Sequence, residues 1–121
     1  MQNELDLVVV IPAYNEEACI RDVVPNWIEG ISKTVPKDRF KLLIINDGSR
    51  DNTGAILDEL AGEYPNLIAK HQLNGGHGNA IYNGYQMAVD MNPEFVFQTD
   101  SDDQFDPKDF HKFWEKRNES N

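Results

Sequence analysis

Four short apolar runs, each followed by a segment of helical spacing, constrain this chain's fold more than any other feature. Leu7-Val8-Val9-Val10-Ile11 is continuous and β-branched. Such a run suits a parallel strand covered on both faces, because a strand with one wet face would alternate. The pattern predicts a first strand over Leu5 to Pro12. Asn15-Glu16-Glu17 then opens a helix, with Asn15 as its cap and the glutamates at the positive end of its dipole. Ile20, Val23, Val24, Trp27, Ile28 and Ile31 continue it at helical spacing. Pro25 lies inside that pattern and predicts a kink or a restart.

The alternation repeats. Phe40 to Ile45 reads as a second strand, ending at Asn46-Asp47-Gly48-Ser49, and Thr53 to Tyr64 as a helix. Asn66 to Gln72 is a third, weaker strand, followed by a glycine-rich turn from Asn74 to Gly78. Asn79 to Met91 is a helix expected to bury Ala80, Ile81, Tyr85 and Ala88. Glu94 to Thr99 is the fourth strand, and Pro107 to Arg117 the last helix, with Pro107 suited to its first turn. The order βαβαβαβα implies an α/β fold with a mostly parallel sheet and helices on both faces. Ligands in such open sheets bind outside the carboxyl ends of the strands.

Composition removes several classes of function. Lys and Arg number 11 against 21 Asp and Glu, a formal charge of −10. A nucleic-acid binder would carry a basic stripe, so no nucleic-acid partner is expected. Cys19 is the single cysteine, which excludes an internal disulfide and fits a reducing compartment. With His71 and His111 it shows no zinc-ligand spacing. The longest apolar run is far too short to span a membrane. Met1-Gln2-Asn3-Glu4 lacks the charged and apolar regions of a signal peptide.

Three strand ends carry unusual chemistry. Pro12-Ala13-Tyr14-Asn15-Glu16-Glu17 follows the first strand. There Tyr14 offers a flat face for a base, and Glu16 can accept from a ribose hydroxyl. Packing and capping explain the same residues equally well. Asn46-Asp47-Gly48-Ser49-Arg50-Asp51-Asn52-Thr53 follows the second strand. Asp47 can accept from a base N–H, Gly48 permits a tight turn, and Asp51 reads as a structural cap. After the fourth strand come Asp100-Ser101-Asp102-Asp103-Gln104. Carboxylates two apart in an extended segment point the same way, and a hard divalent cation would relieve their repulsion. The glycines of Asn74-Gly75-Gly76-His77-Gly78 can turn backbone N–H groups towards a phosphate at a helix N-terminus. They follow the third strand and not the first, so they are no dinucleotide fingerprint. His77 is as readily a solvated residue as a diphosphate contact.

Together these motifs resemble the family 2 glycosyltransferases of the GT-A fold, over Leu5 to about Phe113. The continuation Gln104-Phe105-Asp106-Pro107 looks most like the polyprenol-phosphate branch, typified by dolichol-phosphate mannose synthase. The resemblance implies a Rossmann-like nucleotide-binding half and an enzyme that transfers a sugar from a nucleoside-diphosphate sugar donor, with inversion. A lipid-linked phosphate is one acceptor it implies. Pro12, Ala13, Tyr14 and Glu16 would line the nucleoside pocket, and Asp47 would contact the base. Asn74, Gly78, Asp100 and Ser101 would complete the nucleotide site. Asp100, Asp102 and Gln104 would hold Mg2+ or Mn2+ on the diphosphate. Residues 1–121 would be the N-terminal, donor-binding part of a longer domain, in the cytoplasm and at the inner face of a membrane in the full-length protein. The further half would carry any general base, so this piece alone is not expected to turn over. If that half covers the fourth strand, an uncovered edge invites pairing into a homo-oligomer.

Asn46 departs from the family pattern, standing where an Asp is frequent; His77 replaces a common Lys or Arg, and Asp103 adds a third carboxylate. The alternatives are a phosphoacceptor receiver domain, a nucleotidyltransferase of similar fold and a non-catalytic nucleotide-sugar sensor.

Overall fold

A computed structural model of the chain describes residues 4–100 and 106–116. Four strands, β1 (Leu7–Ala13), β2 (Phe40–Asp47), β3 (Leu67–Gln72) and β4 (Phe95–Gln98), form one sheet in the order β3-β2-β1-β4. All pairings are parallel, with Leu7 opposite both Phe40 and Phe95, and Leu42 opposite Leu67. The helices are α1 (Ile20–Ser32), α2 (Thr53–Glu63), α3 (His77–Asp90) and α4 (Phe110–Glu115). Single 3-10 turns at Lys37–Arg39 and Pro107–Asp109 lead into β2 and α4.

Alternation along each strand divides the interior into two layers. Leu7, Val9, Ile11 and Ala13 of β1 share one face with Leu42 and Ile44 of β2, covered by α1, α2 and α4. Val8, Val10, Leu43 and Ile45 face the other way, against Ala80 and Ala88 of α3. This explains why β1 reads as an unbroken apolar run: both of its faces are core. β3 lies at one edge, and only Leu67 of it is fully buried, which accounts for its weaker sequence signal.

The strand order excludes a receiver domain. Those doubly wound proteins place the third strand beside the first, whereas here β3 pairs with β2. The observed order instead reverses direction between β1 and β4. Crevices at such reversals, outside the carboxyl ends, are where open α/β sheets take ligands.

Five expectations are corrected. α1 begins at Ile20, and Asn15 does not cap it; Asn15 has φ 53° and its side chain is used elsewhere. Residues 16–19 form a turn in which the Glu16 carbonyl accepts from Cys19 and Ile20 N–H. α1 runs through Pro25 to Ser32, so the helix does not restart there. The proline's missing N–H costs one bond near the helix start, while Val24, Trp27 and Ile28 bury around it. Tyr85 is 49% exposed and not part of the core. The contact stripe of α3 is Ala80, Gly84 and Ala88, one residue per turn, and Tyr85 lies beside that stripe. α3 also starts earlier than expected, at His77, because Gly76 at φ 93° turns the chain directly into the helix. α4 is shorter, beginning after a turn whose Asp106 side chain accepts from Lys108 N–H; Arg117 lies outside the described residues.

Candidate functional site

Because every strand is parallel, the loops after β1, β2, β3 and β4 emerge at one edge of the sheet. Pro12 sits in the last turn of pleat of β1, a central strand where proline ordinarily costs a ladder bond. Here the cost is avoided. The Val10 carbonyl accepts from Thr99 N–H at 3.0 Å, so Val10 turns its backbone to β4. Pro12 is the next residue so oriented, and β4 has ended at Gln98, opposite Val10. The proline therefore marks the point where β1 and β4 part. Pro12 and Ala13 are buried, and Tyr14, the next residue, is exposed.

The β1 and β2 loops are joined by side-chain to backbone bonds. Asn15 N–H donates to Ser49 Oγ (2.9 Å), and Arg50 N–H donates back to Asn15 Oδ1 (2.9 Å). Glu16 N–H donates to Thr53 Oγ1 (2.8 Å), and Glu17 N–H to Asp51 Oδ2 (3.3 Å). The Glu16 carboxylate accepts from Cys19 Sγ at 3.2 Å. Asp51 also accepts from Thr53 N–H at 2.9 Å, the structural role expected of it. Burial works to raise the Asp51 carboxyl, but bonds from the Thr53 hydroxyl and the Thr53 and Glu17 N–H groups outweigh it and hold the carboxyl below its ordinary value.

Asp47 is only 4% exposed. Its carboxylate accepts from Gln72 Nε2 (3.0 Å), Gly75 N–H (3.0 Å) and Gly76 N–H (3.1 Å). It thus anchors the glycine turn that leads into α3. Any base contact would have to share this carboxylate with those donors. Gly48, at φ 68°, lies so close to that turn that a Cβ would fall 2.5 Å from Asn74 N. Glycine is required there for both reasons. Asn74 and Gly78 are exposed on the same side, Gly78 in the first turn of α3. The His77 side chain lies outside what the structure describes.

Asp100 follows β4 and is half-buried. Ser101, Asp102, Asp103 and Gln104 lie outside the described residues. Among the described residues, no group of three or more His, Cys, Asp or Glu side chains is placed to hold a metal. By residue type, the two carboxylates and the amide oxygen of the expected set Asp100, Asp102 and Gln104 have the chemistry that suits a hard cation such as Mg2+ or Mn2+. The structure therefore brings the Tyr14, Asp47 and Asn74 loops to one edge, with Asp100 across the crevice from β1. Sequence reasoning gave no role to Gln72 or Asn83. Gln72 bridges Asp47 to Asn83 of α3, with Asn83 Nδ2 donating to Gln72 Oε1 at 3.0 Å. Only the register Asp47 opposite Gln72 reveals that link.

A parallel sheet of this order, with polar loops gathered at its direction reversal, is the architecture of doubly wound α/β proteins, which take ligands at that reversal. The chain belongs to glycosyl transferase family 2, whose sequence model matches residues 8–121. It is 33% identical over 100 residues to dolichyl-phosphate beta-glucosyltransferase ALG5A of Trichomonas vaginalis, covering 79% of this chain and 30% of that protein. It is 30% identical over 117 residues to a UDP-N-acetylglucosamine–dolichyl-phosphate N-acetylglucosaminyltransferase of Methanococcus voltae, covering 86% and 44%. The fold matches that of mannosyltransferase PcManGT from Pyrobaculum calidifontis, solved with GDP-Man and Mn2+. That match has a TM-score of 0.71 at 23% identity, over 86% of this chain and 29% of that one. The chain spans less than half the length of the curated relatives it matches. No helix among the described residues is long and apolar enough to cross a membrane.

Proposed function

We propose that this chain supplies the donor half of a transferase that moves a sugar from a nucleoside-diphosphate sugar to a polyprenol phosphate. The observation that carries the reading is the placement of the Tyr14 loop, Asp47 and Asp100 around the β1–β4 crevice, in a chain of this family. The dolichyl-phosphate transferases among its relatives support the acceptor class.

In this reading Pro12, Ala13, Tyr14 and Glu16 form the nucleoside wall. Buried Pro12 and Ala13 give it shape, Tyr14 a stacking face, and Glu16 an acceptor for ribose. Asp47 contacts the base while holding the glycine turn. Asn74 and Gly78, with Asp100 and Ser101, bound the diphosphate. Asp100, Asp102 and Gln104 hold Mg2+ or Mn2+, which supplies charge neutralisation of the diphosphate as it departs. An ionised phosphate oxygen on the acceptor needs no strong base to attack the sugar carbon, and inversion follows from a single displacement. The bond from the sugar carbon to the donor diphosphate breaks as the new one to the acceptor oxygen forms. A site of this kind works on the cytoplasmic side, where nucleotide sugars are made, with the lipid acceptor at the membrane face.

Calorimetric titration with UDP, GDP and CDP, with and without Mn2+, tests the reading. Binding of one nucleotide should require Mn2+ and weaken at least about tenfold in Asp102→Ala, as expected for loss of a charged ligand. Unchanged Mn2+-dependent binding by that variant would remove Asp102 from the metal site.

A further inference from the structure

A chain of hydrogen bonds runs from the outer edge of the sheet into the β1 loop. His71, on edge strand β3, lies opposite Asn46 of β2. Its Nε2 is 2.7 Å from Asp58 Oδ1 of α2, and its Nδ1 is 3.0 Å from Asn46 Nδ2. Asn46 Oδ1 accepts from Ser49 N–H at 3.1 Å. Ser49 Oγ in turn accepts from Asn15 N–H, and Asn15 Oδ1 accepts from Arg50 N–H.

The direction of each bond follows from one certain donor. Ser49 N–H can only donate, so the carbonyl end of Asn46 faces it and the amide NH2 faces His71. That NH2 can only donate, so His71 Nδ1 must be the acceptor. The ring proton therefore sits on Nε2 and points at Asp58. Adding a proton at Nδ1 sets donor against donor. Rotating the Asn46 amide would cure that conflict but would turn its NH2 onto Ser49 N–H. One link must then break.

The surroundings leave the imidazole as the switchable member. From α2 the charged group facing it is Asp58, which accepts from Nε2–H in either ring state. From β2 the facing group is the uncharged Asn46, while Asp47 turns to Gln72 and the glycine turn. On β3 itself, Lys70 points to the opposite face of the strand. The downstream end has a left-handed backbone. Asn15 holds φ 53°, a conformation tolerated by asparagine and kept here by its two clamping bonds. Its neighbours in the chain are Tyr14 and Glu16.

We propose that His71 is a positioning residue: in its neutral form it supports the Tyr14–Glu16 loop through Asn46, Ser49 and Asn15, and a proton on Nδ1 loosens the Ser49–Asn15 clamp, while the Glu16–Thr53 and Glu17–Asp51 bonds stay in place. The functional half of this statement rests on the reading of Tyr14 and Glu16 as the nucleoside wall.

The test joins two measurements on the 121-residue chain. Amide signals of Asn15, Ser49 and Arg50 are followed by NMR together with the His71 ring nitrogens, from about pH 8 to about pH 5.5, the range in which imidazoles commonly titrate. Affinity for UDP, GDP or CDP with Mn2+ is measured over the same range. In the wild type the three amides should shift with the ring, and affinity should fall about fivefold, the worth of one hydrogen bond. Asn46→Asp offers a carboxylate oxygen to Nδ1–H while keeping the acceptor for Ser49, so its response should reverse, with tighter binding at low pH. His71→Asn presents an acceptor that takes no proton, so its profile should be flat, and it carries the test if Asn46→Asp does not fold. Amides that stay fixed while His71 titrates, or a response of unchanged sign in Asn46→Asp, would overturn the positioning role. Amides that follow the ring while nucleotide affinity ignores it would leave the linkage standing and overturn the assignment of Tyr14 and Glu16.

Discussion

On one face of the sheet, α1, α2 and α4 close over the strands with large side chains; on the other, among the described residues, α3 lies alone and makes its closest approach with small ones. The thick face carries an aromatic cluster. Phe97 of β4 lies with ring centroids 5.7 Å from Phe110 and 5.5 Å from Phe113 of α4, and Trp27 of α1 is 6.4 Å from Phe97. Phe95 meets Trp114 edge-on at 5.6 Å. The thin face depends on proximity. A Cβ on Gly84 would fall 2.5 Å from Val10 Cγ1 and 2.9 Å from Ile45 Cγ1. One layer is stabilised mainly by apolar area, the other by how near a helix backbone can come. Both devices serve the same end, since β1 must be dry on both sides to carry Pro12 to the crevice.

The contrast predicts opposite sensitivities to size. Phe110→Ala removes a fully buried ring from the thick face and should cost about 3–5 kcal/mol in urea denaturation. A loss under about 1 kcal/mol would mean that the aromatic cluster is not what docks α4. On the thin face enlargement is the harmful change. Gly84→Ala adds one methyl against two buried branched side chains and should cost about 1–3 kcal/mol, although alanine favours helices. A stabilised variant would show that α3 has room to move away. Tyr82→Ser, on the more exposed side of the same helix, should change stability by less than about 0.5 kcal/mol. A larger effect would show that the thin face is covered by something besides solvent.

Much of the fold was legible because periodicity reports burial directly. The unbroken run Leu7–Ile11 announced a strand covered on both sides, and helical spacing from Ile20 to Ile31 announced α1. What stayed hidden were contacts set by register and close approach. Tyr85 looked like core because the pattern counts tyrosine as apolar, whereas the contact stripe uses a residue with no side chain, Gly84. Asn15 looked like a helix cap because its type and place suit one. Its bonds instead go to a loop 35 residues away, a partner no local rule can name. Asp47 stood out as a strand-end carboxylate, but its hold on Gly75 and Gly76 required the turn after β3 to fold back over β2. The linkage through His71 was invisible for the same reason: β3 and β2 had to be aligned before His71 met Asn46.

The strand order also sets a schedule for synthesis on the ribosome. Of these four strands the first made lies inside the sheet, and its neighbours begin only at Phe40 and Phe95. Until both have emerged, Leu-Val-Val-Val-Ile is an apolar ribbon with unpaired backbone edges, a shape that invites association between nascent chains. Local helices can form at once, but the sheet waits on two long-range closures, which slows folding. Production of this protein should therefore respond to translation speed and to chaperones that shield extended segments, more than to anything that alters the finished site.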